Sequence, residues 1–341
     1  IMKLKHINLA LSNRCNAKCI WCPTSRGTNH NFDMPKEMAF KIIDEASQFD
    51  YDLDRMHFSE NGEAIYNKDF IEILSYAKQK LPNTKLNMLS NFGMMTRKLS
   101  EDICKTQAIY EFQLNIDGHD ADSYRAVKKI SYDTVIRNLK YFLNMREKYH
   151  PDMRFVINVM PAFEYSITVN ALFRDAPHQV QNDEVPYSNF EEVKASLKHI
   201  IEPYNVHIRH SQSGFWAERK TFLKNKEKIN LDQSKMDWPM FDRVQHEAYI
   251  APNGAWYPCC LDDNNDIVLG NVKFQTVQEI FESQRRLEFI KKLKNRQYEE
   301  IGYPCNTVAC CQSIKIPDAY YNDMTKGFTV GKTVKFQPEK G

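Results

Sequence analysis

The 341-residue chain carries nine cysteines, arranged as two groups and one singleton. Cys15, Cys19 and Cys22 are spaced Cys-x3-Cys-x2-Cys. Cys259, Cys260, Cys305, Cys310 and Cys311 form the second group, and Cys104 stands alone. Disulfide frameworks belong to short secreted chains, so clustered thiols in a long chain point to metal. Soft thiolates select zinc or iron–sulfur. A fully ligated [4Fe–4S] cluster takes four cysteines, and the first group offers three. Two readings follow. A distant fourth ligand closes a structural zinc loop, or one iron stays open as a position where a small molecule binds and reacts.

Three other segments carry polar groups suited to a ligand: Ser59-Glu60-Asn61-Gly62-Glu63-Ala64, Ser90-Asn91-Phe92-Gly93, and Gln113-Leu114-Asn115-Ile116-Asp117-Gly118. Taken singly, each is an ordinary turn. All three lie at the ends of predicted strands, where parallel α/β folds bind ligands. A carboxylate and strand-end carbonyls at Asn61, Gly62 and Glu63 suit an ammonium donor.

In this order, and with an aromatic before the third cysteine, the segments resemble the radical S-adenosylmethionine (SAM) superfamily over about residues 6–160. The resemblance implies a [4Fe–4S] cluster on Cys15, Cys19 and Cys22, with SAM chelating the open iron. It implies a reaction in which SAM yields a 5′-deoxyadenosyl radical that takes hydrogen from a substrate C–H. It further implies SAM binding by Asn61, Gly62 and Glu63 at the amino group, by Ser90 and Asn91 near ribose and methionine, and by Asn115 and Asp117. Either Arg125 or Lys128 is expected to pair with the SAM carboxylate. Ala64 stands where the family often has Pro, and Asn115 where it has Ser.

The second cysteine group resembles the auxiliary-cluster module called SPASM, or its shortened form, twitch. Five cysteines are too few for two fully cysteine-ligated clusters, so one auxiliary [4Fe–4S] cluster is expected. Cys305 and Cys310 are expected ligands, joined by one of Cys259 and Cys260. Cys311 or Asp237 completes the set, or an iron stays open. The departures from the module are Met236-Asp237 before Trp238-Pro239, where a cysteine is usual, and a closing Cys-x4-Cys-Cys. The alternative is a structural zinc site.

These groups need elements to hold them. Strand patterns at His6–Leu11, Asp54–Phe58, Lys85–Leu89, Ile109–Ile116, Arg154–Val159 and Val206–Arg209 alternate with helical patterns at Lys36–Gln48, Asp69–Lys80, Ser100–Lys105, Tyr132–Lys148 and Asn189–Ile201. Such repetition builds a parallel sheet with helices outside, an α/β fold. The resemblance makes it a partial (β/α)6 TIM-like barrel with a small C-terminal α+β module. A β-hairpin is expected around Asn253-Gly254 and one helix over Thr276–Leu293. The expected organisation is a core domain at 1–210, a bridge at 211–235, an auxiliary-cluster domain at 236–316 and a tail at 317–341. The mixed polar and aromatic stretch from Pro161 to Pro186 is a candidate lid.

Forty-six basic and 44 acidic side chains give a net charge of +2, so no nucleic-acid or membrane partner is expected. No apolar run approaches the roughly 20 residues of a membrane helix, and the first residues lack a signal-peptide pattern, so a cytoplasmic location is expected. The implied partners are a substrate and an electron donor such as flavodoxin or ferredoxin. Substrates of such enzymes are peptides or small polar metabolites. Few residues precede the first strand and no added peptide-recognition domain is evident, which favours a sugar or aminocyclitol, oxidised or epimerised. Peptide modification and a non-catalytic zinc scaffold are the alternatives. Cys104, in an apolar-periodic helix, is expected to be buried and inert.

Overall fold

The computed structural model describes residues 2–19, 22, 32–49, 53–160, 188–211, 240–260, 262, 265–302 and 305. The expected lid, most of the bridge, Asp237, Cys310, Cys311 and the tail lie outside the described residues.

Six strands run parallel: β1 (His6–Leu9), β2 (Arg55–His57), β3 (Lys85–Ser90), β4 (Ile109–Asn115), β5 (Arg154–Val159) and β6 (Val206–His210). They lie side by side in chain order, from β1 to β6. Doubly wound sheets reverse their order at a switch point; an unreversed order curls one way and builds a barrel wall. Beyond β1 the sheet continues through β7 (Glu247–Ile250), parallel to β1, then β8 (Ala255–Tyr257) and the short β9 (Gly270–Asn271), both antiparallel. The C-terminal hairpin thus extends the barrel wall, with Gly254 at φ +87° in its turn.

The helices between the strands are α1 (Lys36–Ala46), α2 (Phe70–Lys80), α3 (Arg97–Thr106), α4 (Ala121–Lys128), α5 (Tyr132–Tyr149) and α6 (Phe190–Ile201). Their starts are set by side-chain caps: Thr96 accepts from Leu99, Ser131 from Thr134, and Asp120 and Asn189 form capping boxes with Ser123 and Glu192. Val135, Leu139, Phe142 and Leu143 form the buried stripe of α5. Phe142 meets Phe92, Phe112 and Phe155 in an aromatic cluster with centroids 4.8–5.6 Å from the Phe142 ring. Each such ring contributes about 1.5–3 kcal/mol by burial. Cys104 on α3 is fully buried, as expected. The C-terminal part adds α7 (Met240–His246), α8 (Val277–Phe281), α9 (Gln284–Lys294) and α10 (Tyr298–Ile301). The single helix expected over Thr276–Leu293 is two. Ser283 stops the first and caps the second by accepting from Arg286.

Register puts polar residues together on one face of the sheet. Arg55 pairs with His6 and Lys85, His57 with Asn8 and Asn87, Glu111 with Asn87 and Arg154, and Asn158 with Asn115 and Arg209. Alternate residues, such as Phe112 and Leu114, are buried in the apolar core.

Candidate functional site

The cysteine loop leaves β1 and is pinned from two sides. Arg14 forms an ion pair with Asp33 and donates to the Tyr66 carbonyl (3.1 Å), while the Ser12 hydroxyl donates to Asp33 (2.6 Å). On the sheet side, Glu63 N–H donates to the Arg14 carbonyl (2.8 Å). Gly62, at φ +141°, passes so close that a Cβ would overlap the Ser12 carbonyl and lie 2.8 Å from Asn13 Cα. Here the backbone approach itself demands glycine.

Asn91, at the end of β3, ties two expected site residues, Glu63 and Cys15, to Asn16. Its N–H donates to Glu63 Oε2 (2.8 Å). Its amide donates to Asn16 Oδ1 (2.9 Å) and lies 3.5 Å from Cys15 Sγ. Its own Oδ1 accepts from Gly93 N–H (2.8 Å). Phe92 adopts the left-handed backbone at φ 61°, held by its buried ring and by Asn138, which donates to its carbonyl (2.8 Å).

Glu63 is 2% exposed, and its Oε1 is buried with no hydrogen-bond partner among the described residues. Burial pushes its carboxyl up to about 7, against hydrogen bonds from Asn91 and Ser90. A cationic donor brought to Oε1 would reverse that shift. The thiols are desolvated in the same way. Burial, then the charge of Glu63, pushes Cys15 up to about 12, and burial pushes Cys19 up to about 11, with Lys128 opposing. Bound iron would supply the positive charge that keeps both as thiolates. None of the seven described cysteines is in a disulfide, and no three His, Cys, Asp or Glu among the described residues gather to hold a single ion. Three soft thiolates on one loop suit an iron–sulfur cluster, and the unpartnered Glu63 Oε1 suits an ammonium.

The other expected residues are placed unequally. Asn115 faces the polar side of the sheet, its Oδ1 accepting from Asn158 (3.1 Å). Asp117 is fully buried; Lys128 Nζ lies 2.6 Å from its Oδ2, and its Oδ1 accepts from Met160 N–H (2.7 Å). Of the two basic residues on α4, Lys128 is the one brought to the cysteine loop: its carbonyl accepts from Lys18 N–H (3.1 Å). Arg125 is exposed on the same helix. Asn16, Gln113, Asn158, Arg209, Glu60 and Glu247 were not singled out by sequence as ligand-facing. For Gln113 and Asn158 the signal was alternation on β4 and β5, which marks any two-sided sheet.

At the second cysteine group, Cys259 and Cys260 follow β8, with Asp262 N–H donating to the Cys259 carbonyl (3.0 Å). Cys259 and Cys305 are each 3% exposed, and burial, then Asp262, pushes the Cys305 thiol up to about 12. Cys260 is raised by burial, then by Cys259 and Glu60. Asp262 is committed to its own loop through Asp266 and Ile267 N–H (2.8 and 2.9 Å). Beside them, Tyr249 donates to Glu247 Oε2 (2.6 Å) and His6 Nδ1 lies 3.2 Å from Glu247 Oε1.

The model of the radical SAM superfamily matches residues 9–161, and that of the SPASM iron-sulfur cluster-binding domain matches residues 242–311. The chain carries a radical SAM domain followed by a SPASM domain. Its radical SAM domain implies SAM and a [4Fe–4S] cluster, and its SPASM domain implies auxiliary iron–sulfur binding. An uncharacterised protein of Methanocaldococcus jannaschii is 27% identical over 142 residues, 39% of this chain and 46% of its own length. The chain spans under half the length of the curated relatives it matches. Among solved structures, anSMEcpe with bound AdoMet and the Cp18Cys peptide has TM-score 0.57 at 14% identity, covering 95% of this chain and 96% of that one. BtrN in complex with AdoMet and 2-DOIA has TM-score 0.51 at 14% identity, covering 92% and 94%. At such identity these radical SAM structures share the fold. No described helix is long and apolar enough to cross a membrane.

Proposed function

We propose that this radical SAM enzyme oxidises or epimerises a small polar metabolite, such as a sugar or aminocyclitol, at a C–H bond. Cys15, Cys19 and Cys22 would hold the SAM-binding [4Fe–4S] cluster. Cys305 and Cys310, with Cys259 or Cys260 and with Cys311 or Asp237, would hold the auxiliary one. In this reading residues 1–210 are the core domain and 236–316 the auxiliary-cluster domain, joined by 211–235 and followed by the tail. An electron donor such as flavodoxin or ferredoxin, and a reducing cytoplasm, complete the setting.

The observation that carries the reading is the buried, unpartnered Glu63 Oε1 beside Asn91 and Cys15. Bound together, cluster and SAM supply a one-electron reductive cleavage that ends in hydrogen abstraction from an unactivated carbon. The chain's own residues bind and orient. Glu63 accepts from the SAM ammonium, Asn91 fixes Glu63 and the cysteine loop in one geometry, and Asn115, its Oδ1 held by Asn158, keeps its amide N–H groups for a ribose hydroxyl. The polar sheet face of His57, Asn87, Gln113, Asn158 and Arg209 supports a substrate rich in hydroxyl or charged groups rather than an apolar one.

The test is anaerobic reconstitution with dithionite, SAM and deuterated sugars or aminocyclitols. Formation of 5′-deoxyadenosine carrying substrate deuterium supports the reading. Cleavage of SAM with no deuterium from any of them, alongside transfer from a peptide, sinks the small-molecule assignment.

A further inference from the structure

The polar face of the sheet ends, at β6, on an arginine with an unusual set of partners. Arg209 lies opposite Asn158 in the ladder, and Asn158 lies opposite Asn115, so all three share one face. Arg209 Nε donates to Asn158 Oδ1 (2.8 Å), and its Nη2 donates to Gln113 Oε1 (3.2 Å). Both acceptors are neutral amides, and both are locked. Asn158 Nδ2 donates to Gln113 Oε1 (3.0 Å) and to Asn115 Oδ1 (3.1 Å), and Gln113 Nε2 donates to Glu111 Oε1 (2.6 Å).

The nearest carboxylate in this chain of bonds, Glu111, is spent on Gln113 and on Arg154 Nε (3.3 Å). Arg209 forms no ion pair among the described residues. A guanidinium has five N–H donors in a planar fork, and here the two bonds to Asn158 and Gln113 fix its plane and leave donors without a partner among the described residues. A merely solvated arginine on an edge strand keeps its rotamer freedom. Here two side chains, Gln113 on β4 and Asn158 on β5, restrain it. That is preorganisation for a bidentate oxyanion. His207, two residues earlier on the same strand, has its place on the same face.

We infer that Arg209, clamped by Asn158 and Gln113, anchors a carboxylate or phosphate carried by the substrate. The inference rests on the small-molecule reading above and narrows it to an anionic metabolite. The SAM carboxylate is not the occupant. It shares a carbon with the SAM ammonium, whose expected partner Glu63 bonds to the end of β3. Measured along the sheet, β3 to β6 is three strand spacings, about 14 Å.

The experiment labels arginines of the reconstituted, SAM-loaded enzyme with p-hydroxyphenylglyoxal and maps them by peptide mass spectrometry. Inorganic phosphate and acetate are the probes, with chloride at equal ionic strength as reference. Phosphate, acetate or both should slow labelling of Arg209 by about tenfold at saturation, while Arg154, already paired with Glu111, labels at its reference rate. The more protective probe tells phosphate from carboxylate. Asn158→Ala should release the clamp and cost most of the protection, measured in protein whose melting matches the parent. Equal labelling in chloride and in both probes overturns the inference, as does full protection in Asn158→Ala. SAM affinity and cleavage are measured on the same samples. Absent cleavage counts against the radical reading itself, and intact cleavage without anion protection counts against the anchor alone. Arg209→Gln should leave SAM affinity in place; its loss would assign Arg209 to the cofactor and overturn the anchor.

Discussion

The Nζ of Lys128 lies 2.6 Å from the Oδ2 of Asp117, and the two side chains are 4% and 0% exposed. The pair couples the end of β4 to α4, while the Lys128 carbonyl receives Lys18 of the cysteine loop. Burial alone would push the ammonium toward neutrality. The charges of Asp117, Cys19 and Tyr124 and the hydrogen bond to Asp117 together outweigh it, and Lys128 stays cationic, raised above the ordinary lysine range. Its charge also favours the Cys19 thiolate.

Removing one partner of such a pair strands the other charge in the interior. Lys128→Met and Asp117→Asn should each lower stability by about 3–5 kcal/mol. The double variant should recover part of that loss, because neither charge is left buried alone. Urea unfolding of the four proteins checks this. Additive losses in the double variant would show that the pair is not coupled.

Gly62 gives a second expectation. Its backbone passes against Ser12 and Asn13 with no room for a Cβ, in a left-handed conformation. Gly62→Ala must therefore push the β2–α2 connection away from the cysteine loop, and Glu63 moves with it. The chain should fold, since most of its core lies elsewhere. SAM affinity should fall by at least about tenfold. Calorimetric titration of SAM into the variant measures it, and unchanged affinity would dissociate this contact from the site.

Much of this was legible in the chain. Strand β5 was read residue for residue from Arg154 to Val159, because Pro151-Asp152 precede its apolar run and Pro161 follows it. Asn91 and Asn115 were expected as site residues because they stand at strand ends, and Glu63 because its segment resembles the family's Gly-Glu segment. Helix α4 was not read, since eight residues with Tyr124 and Val127 as its apolar anchors give too short a period. The break at Ser283 was hidden for a related reason: a serine looks the same inside a helix and at a cap. The polar network of Gln113, Asn158 and Arg209 was invisible because alternation cannot tell a barrel's inner face from a solvated one. Only the register, which brings β4, β5 and β6 side by side, separates them.

The two cysteine groups predict a divided iron content. Cys15→Ala, Cys19→Ala and Cys22→Ala should each abolish SAM cleavage. The triple variant should keep about half of roughly eight irons per chain, held by the second group. Iron and sulfide assays on anaerobically reconstituted protein decide it. Full cleavage in any single variant would remove that cysteine from the ligand set, and a triple variant without sulfide would leave the second group clusterless.

Glu60 makes the last prediction, through pH. Burial, then the negative charge of Glu247, raises its carboxyl to about 8, with Arg243 opposing. An acid raised in the folded state holds its proton there more tightly than in the unfolded chain. Its stabilising share is whole below the ordinary value of 4.5 and is lost as pH rises through about 8. Glu63, raised to about 7, acts in the same direction. Native protein should therefore lose stability between about pH 5 and pH 8.5, and Glu60→Gln should lose less. The informative quantity is the difference between the two urea midpoints at each pH, because it cancels every other titrating group. That difference should move in favour of the glutamine variant as pH rises, with its midpoint between the ordinary glutamate value and about 8. A difference that stays constant across the range would mean that Glu60 ionises as a surface glutamate does, and that the Glu247 and Tyr249 side of the barrel is open to water.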